Sequence, residues 1–262
     1  MDFLLWVVLI VLGMVGAFFS GLLGIGGAII NYPLLLYIPA LLGVAHFSAH
    51  EVSSISMFQV FFASLAGGIT FLRKNKGNRV VHKGLVLFMG SSILAGSLIG
   101  GVVSGVIDGE IINLIYGVLA ILAVVLMIIP RKGTEEQTGS LQFNKSIAMT
   151  AAFLIGIVSG IVGAGGAFIL IPIMLTVLKI PTRTAIASSL AIVFISAVGG
   201  VIGKLSSGVI PLWPIIFTVI GSLIGAPLGS KVSSKIHVRI LRYGLIVLIG
   251  LTAVKVWSSI LN

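Results

Sequence analysis

No cysteine occurs in the 262 residues, and only 8% of them are charged. The first absence excludes disulfides, thiolate chemistry and Cys-ligated metals. The second excludes an ordinary soluble domain, in which about a quarter of residues carry charge. Acidic groups are scarcest, with 6 Asp and Glu against 16 Lys and Arg. Apart from Glu51, at the end of one run, no carboxylate falls inside a long apolar stretch. Cation carriers and proton pumps usually bury such groups, so an anionic or neutral substrate is expected. Nucleotide-binding, GxSxG and HExxH motifs are missing, which speaks against an ATP-driven pump or a membrane hydrolase. No catalytic residue, cofactor or metal is expected.

What is present is apolar length. Residues 84–107, 52–72, 111–129 and 205–230 run for 24, 21, 19 and 26 positions without a charge. A hydrocarbon core needs about 20 residues, so the sequence predicts an all-α polytopic membrane protein. The 34 glycines fit, because small residues let membrane helices approach closely. The net charge of +10 lies in short loops between apolar runs, so the bilayer and not nucleic acid is the expected partner. Asp2 stands where a signal peptide has its basic region, and apolar sequence continues past any cleavage point, so no cleaved leader is expected. The sequence leaves room for a homo-oligomer.

Self-similarity organises the chain. Residues 20–33 read SGLLGIGGAIINYP and residues 159–172 read SGIVGAGGAFILIP, with eight of fourteen positions identical. Ser53-Ser54 answers Ser188-Ser189, Gly96 and Gly100 answer Gly225 and Gly229, and Tyr116-Gly117 answers Tyr243-Gly244. Residues 1–129 and 146–262 therefore read as two repeats joined by a cytoplasmic linker, 130–145. Each repeat is a glycine-broken apolar stretch followed by three spans. The pieces are about 3–22, 27–45, 52–72, 84–107 and 111–129, then 146–162, 167–179, 185–203, 209–230 and 240–258.

Loop charge decides whether a broken stretch crosses once or doubles back. If each crosses once, 10 Lys and Arg lie inside and 6 outside. If each is a hairpin, 14 lie inside, and only Lys204 and Lys255 fall outside with Asp108 and Glu110. The hairpin arrangement satisfies the positive-inside rule better. It makes the two repeats inverted, a recurring plan of secondary transporters. Both termini are then extracytoplasmic, in the cell membrane.

Gly24, Gly26 and Gly27, with Gly163, Gly165 and Gly166, lead the candidate substrate-binding residues. Glycine is costly inside a helix, so such a cluster, closed by Pro33 or Pro172, predicts unwound backbone within the bilayer. Unwound backbone is tolerated there only where protein or a polar cavity surrounds it. Freed N–H groups at the start of the next short helix suit an anion; close-packing glycines are the plainer alternative. Ser53, Ser54, Ser188 and Ser189, with Ser56, open the following spans, and their hydroxyls can donate to an oxyanion or bond back to their helices. Asn31 and Gln59 add amides on the first-half side only, where an interhelical bond is an equal alternative. His50 and Glu51, near His46, are proton-coupling candidates, against the reading of a solvated interfacial loop. Adjacent on a helix, they make a poor metal site. Arg183 and the run Arg73–Lys83 read first as topogenic charges.

The duplicated G-G-A…P motif after a Ser-Gly start, each copy opening a four-unit repeat, resembles the sulfite exporter TauE/SafE family, also called the toluene sulfonate uptake permease family. The resemblance covers essentially the whole chain. Pro181, Ala187, Ser188, Ser189 and Leu190 look like its second signature, with Ser188 where Thr is usual. Val52-Ser53-Ser54 stands for the usual small-Thr-Ser. The resemblance implies transport of sulfite, a sulfonate or a related organosulfur anion, driven by protons or potential without ATP. The expected function is a secondary transporter working by alternating access. An anion channel or a non-transporting membrane accessory subunit remain the alternatives.

Overall fold

A computed structural model describes residues 2–23, 28–74, 81–128 and 143–232, with residues 250, 254, 257 and 258. Nine α-helices and no strand occur among them: α1 (Asp2–Leu23), α2 (Ala28–Leu41), α3 (Ala49–Lys74), α4 (Lys83–Val103), α5 (Gly109–Ile128), α6 (Lys145–Val162), α7 (Ala167–Thr176), α8 (Thr182–Ser207) and α9 (Leu212–Val232). Helices α1, α3, α4, α6, α8 and α9 are each long and apolar enough to cross a membrane. The expected last span, 240–258, lies outside the described residues except at four positions, all of them helical.

The helix boundaries have local causes. Asn144 caps α6, its Oδ1 accepting from the Ile147 N–H at 3.2 Å. His82 caps α4 through Nδ1, which accepts from Leu85 N–H at 3.1 Å. Ser48 and Glu51 form a capping box at the start of α3: Ser48 N–H donates to Glu51 Oε2 at 2.8 Å and Glu51 N–H to Ser48 Oγ at 3.3 Å. This box starts α3 three residues before the uncharged run. Gly163 and Gly208 end α6 and α8 in the left-handed conformation. Pro33 and Pro172 lie inside α2 and α7, each at the sixth helical residue, and so do not close the glycine breaks.

Helix directions follow from which residues touch. A methyl group on Gly221, Gly225 or Gly229 of α9 would strike the carbonyls of Ile10, Met14 and Phe18 of α1 respectively, so α1 and α9 run the same way. A methyl on Gly96 or Gly100 of α4 would strike Phe153 and Ile157 of α6, so those helices are also parallel. The same kind of close approach is thus made twice, by α1 with α9 and by α4 with α6. Gly199 and Gly203 meet Leu94 and Leu98, which aligns α8 with α4. Gln59 reaches Gly13, and Ala63 packs with Ala17, so α3 is parallel to α1. Phe61 stacks on Phe194 at 5.3 Å while Met57 lies beside Gly200, so α3 and α8 are antiparallel.

Because α1 and α3 share a direction, α2 must carry the chain back, and α7 does the same between α6 and α8. At about 1.5 Å per residue the 14 residues of α2 and the 10 of α7 span roughly 21 and 15 Å, short of a ~30 Å hydrocarbon core. Each broken stretch is therefore a hairpin. The starts of α1, α3 and α9 gather at one end with the finishes of α4, α6 and α8. Asp108 and Glu110 lie at that end; Lys83 and Lys145 start α4 and α6 at the other.

Helices α3 and α8 are the most buried of the long helices. Around them α1, α4, α5 and α9 expose Val7, Val11, Leu87, Ile99, Val118, Ile216 and Leu223. An apolar outer surface on a core with so many buried serines is the arrangement a bilayer favours.

Candidate functional site

The described glycine break lies between α6 and α7. Gly163 N–H and Ala164 N–H both return to the Ser159 carbonyl, at 2.8 and 2.9 Å. Gly163, Gly165 and Gly166 have φ of 80°, 66° and 74°, a region glycine enters without steric cost. The break deprives the Ile161 carbonyl of the helical partner that residue 165 would supply. Ser53 Oγ on α3 donates to it instead at 2.6 Å, and Lys204 Nζ on α8 donates at 3.2 Å. The N–H groups of Gly165 and Gly166 have no acceptor among the described residues. They stand at the N-terminus of α7, where orphan donors and the helix dipole both favour an anion.

The break is pressed against the central helix pair. A methyl on Gly165 would come within 2.6 Å of Val60 Cγ1 and 3.3 Å of Val193 Cγ1. Val60 and Val193 are each the twelfth residue of a 26-residue helix, so the break meets α3 and α8 near their crossing. Gly24, Gly26 and Gly27 lie outside the described residues.

The other sequence-predicted residues do not all converge. Ser53, Ser54, Ser188 and Ser189 are fully buried. Ser53 stands beside the break, whereas Ser188 Oγ accepts from the His82 N–H at 3.1 Å. Because α3 and α8 are antiparallel, the two serine pairs sit toward opposite ends of the crossing, roughly 20 Å apart along the axes. One anion does not touch both pairs in this conformation. Asn31 and Gln59 instead share a neighbour, α1: Gln59 Nε2 donates to the Gly13 carbonyl at 3.1 Å, and Asn31 fills the gap left by Gly16. Asn31 Oδ1, Gln59 Oε1, and the hydroxyls of Ser56 and Ser196 are buried without a hydrogen-bond partner among the described residues. Polar atoms left unmatched in this way near the α3–α8 crossing call for an explanation.

His50 lies at the end of the bundle where α3 starts, its Nδ1 3.0 Å from the Ser104 carbonyl. Glu51 is engaged in the capping box. Among the described residues no group of three His, Cys, Asp or Glu could hold a metal ion.

Lys204 reads from sequence as one of the loop charges, and the structure buries it. It is 1% exposed, and its ammonium donates to Ser104 Oγ at 2.6 Å as well as to the Ile161 carbonyl. The signal in the sequence is its isolation: the loop-charge reading assigns only Lys204 and Lys255 to the side of Asp108 and Glu110. A cavity of about 270 Å³ lies toward the opposite end, between α3 and α8, lined by Leu65, Ile69, Val81, Ala187, Leu190 and Phe194 among others. Ser64 is the one polar side chain among the described residues that line it, and Ser188 follows the lining residue Ala187 in sequence.

A helical bundle with an apolar outer surface, a buried polar centre and six helices long and apolar enough to cross a membrane is a multi-pass membrane protein. The profile of the family described as Sulfite exporter TauE/SafE matches residues 9–256, and the chain belongs to that family. It is similar to the Probable membrane transporter protein YunE of Bacillus subtilis, 25% identical over 221 residues that cover 78% of this chain and 79% of the relative. The Probable membrane transporter protein MJ0441 of Methanocaldococcus jannaschii is 25% identical over 207 residues, 79% of this chain and 75% of the relative. A Probable membrane transporter protein of Xylella fastidiosa is 31% identical over 184 residues, 68% and 65% of the two chains. No solved structure matches significantly.

Proposed function

We propose that the protein is a secondary transporter and not an enzyme. It moves a small anion, sulfite, a sulfonate or a related organosulfur anion, across the cell membrane by alternating access. The observation that carries this reading is the α6–α7 break: two glycine N–H groups without acceptors among the described residues, at a helix start, pressed against the central crossing of α3 and α8. Family membership and the names of the relatives support it.

The two repeats are inverted in this reading. Support comes from α1, α3 and α9 running opposite to α6, α8 and α4, their counterparts, and from the α4–α6 contact repeating the α1–α9 contact. Both termini would lie outside the cell. Rocking of one repeat against the other would expose Ser53 and Ser54, and then Ser188 and Ser189, to opposite faces. His50 and Glu51 would carry any proton coupling.

Flux into proteoliposomes of purified protein, comparing sulfite, thiosulfate, a small sulfonate, sulfate and acetate with and without a pH gradient, tests this. Saturable sulfur-oxyanion movement supports the reading. Ohmic conductance would favour a channel, and no flux of any anion through folded, inserted protein an accessory subunit.

A further inference from the structure

Lys204 sits where three helices finish. The last turns of α4, α6 and α8 meet the first turns of α3, and the ammonium lies among them with neutral acceptors only, Ser104 Oγ and the Ile161 carbonyl. An ammonium has three donors, and the third has no acceptor among the described residues. No carboxylate among them pairs with it either. Burying a cation without a counter-ion is costly, and ionisable groups inside a membrane protein mark substrate pathways. The carbonyl ends of α4 and α6 offset part of that cost, each helix terminus contributing roughly half a negative charge. A full negative charge is what the cluster lacks.

The hydroxyls around the ammonium are suited to supply the rest of a site. Ser53 Oγ shares the Ile161 carbonyl with Lys204, and Ser104 Oγ already touches Nζ. Val106, two residues beyond Ser104, is 83% exposed, so the cluster lies one layer beneath the end of the bundle. We propose that Lys204, with Ser53 and Ser104, forms an outer subsite in which a monovalent oxyanion pairs with the ammonium before passing to the glycine break. This rests on the anion-transport reading and locates a buried positive charge on its path.

The cysteine-free chain allows a direct test that needs no flux. A Ser104→Cys variant keeps Lys204 and is labelled with an anionic methanethiosulfonate reagent in the presence of methanesulfonate or sodium chloride. Methanesulfonate should slow modification at least tenfold, and adding Lys204→Gln should remove the protection, whereas Lys204→Arg should retain it. Equal protection with Gln at 204, or none in either background, overturns the subsite. If Lys204→Gln does not fold, the Lys204→Arg background decides: protection of the Ser104→Cys thiol there supports the subsite, and its absence overturns it. In flux through the otherwise unaltered protein, Lys204→Gln should raise KM at least tenfold with kcat less affected. Absence of flux in the unmutated protein would instead remove the transport reading and leave the labelling result standing.

Discussion

Ser53 on α3 donates through Oγ to the Ile161 carbonyl of α6 at 2.6 Å, across 108 residues of sequence. The bond exists because the glycine break leaves that carbonyl without its helical donor. Within a membrane such a group must find a partner inside the protein. Removing the hydroxyl with Ser53→Ala should cost about 1 kcal/mol of stability. It should also reduce anion flux through folded protein, because the start of α3 is no longer tied to the break. Unchanged flux and melting temperature would show that the bond does not couple them.

Gly163 should be the least replaceable of the described glycines. Its φ is 80°, and a methyl there would strike the Ser53 carbonyl. A left-handed alanine costs about 1–2 kcal/mol and overpacking a further 1–3, so Gly163→Ala should lose about 3 kcal/mol or more. Gly43 has φ of 64° and nothing within 4 Å, so Gly43→Ala should show the conformational cost alone. Detergent-phase thermal melts of both variants check the difference.

Glu51 has a structural duty that predicts a graded response. Glutamine can still accept from the Ser48 N–H, so Glu51→Gln should keep the capping box and the melting temperature. Glu51→Ala should cost about 1 kcal/mol. If Glu51 carries a coupling proton, the folded glutamine variant will also lose the pH-gradient dependence of flux, while a retained dependence assigns coupling elsewhere.

The helix directions place Val106 and Asn144 at opposite ends of the bundle, both exposed. In the cysteine-free background, Val106→Cys in intact cells should react with a membrane-impermeant thiol reagent and Asn144→Cys only after permeabilisation. Labelling of both from one side would contradict the hairpin geometry.

The membrane class and most helix positions are legible in the sequence because apolar length and charge segregation act locally. The doubling back of the broken stretches is legible because fourteen bases collect on one side only in that arrangement. The separation of Ser53 from Ser188 is not, since it depends on α3 and α8 being antiparallel, which no local pattern records. Lys204 is hidden for a related reason. A lysine at the end of an apolar run looks topogenic until the finishes of α4 and α6 are seen to close over it. Glu51 reads as a membrane-edge carboxylate by type, although the S-x-x-E spacing of Ser48 and Glu51 carries the capping signal.

Anion binding at the glycine break is tested most directly by sulfonate and sulfite flux in proteoliposomes of the unmutated protein beside Gly165→Leu. Saturable uptake is expected of the former. Loss of uptake at equal insertion is expected of the latter, because a leucine at φ 66° against Val60 and Val193 fills the break and displaces its N–H groups. Normal uptake by Gly165→Leu would contradict the glycine break as the anion site.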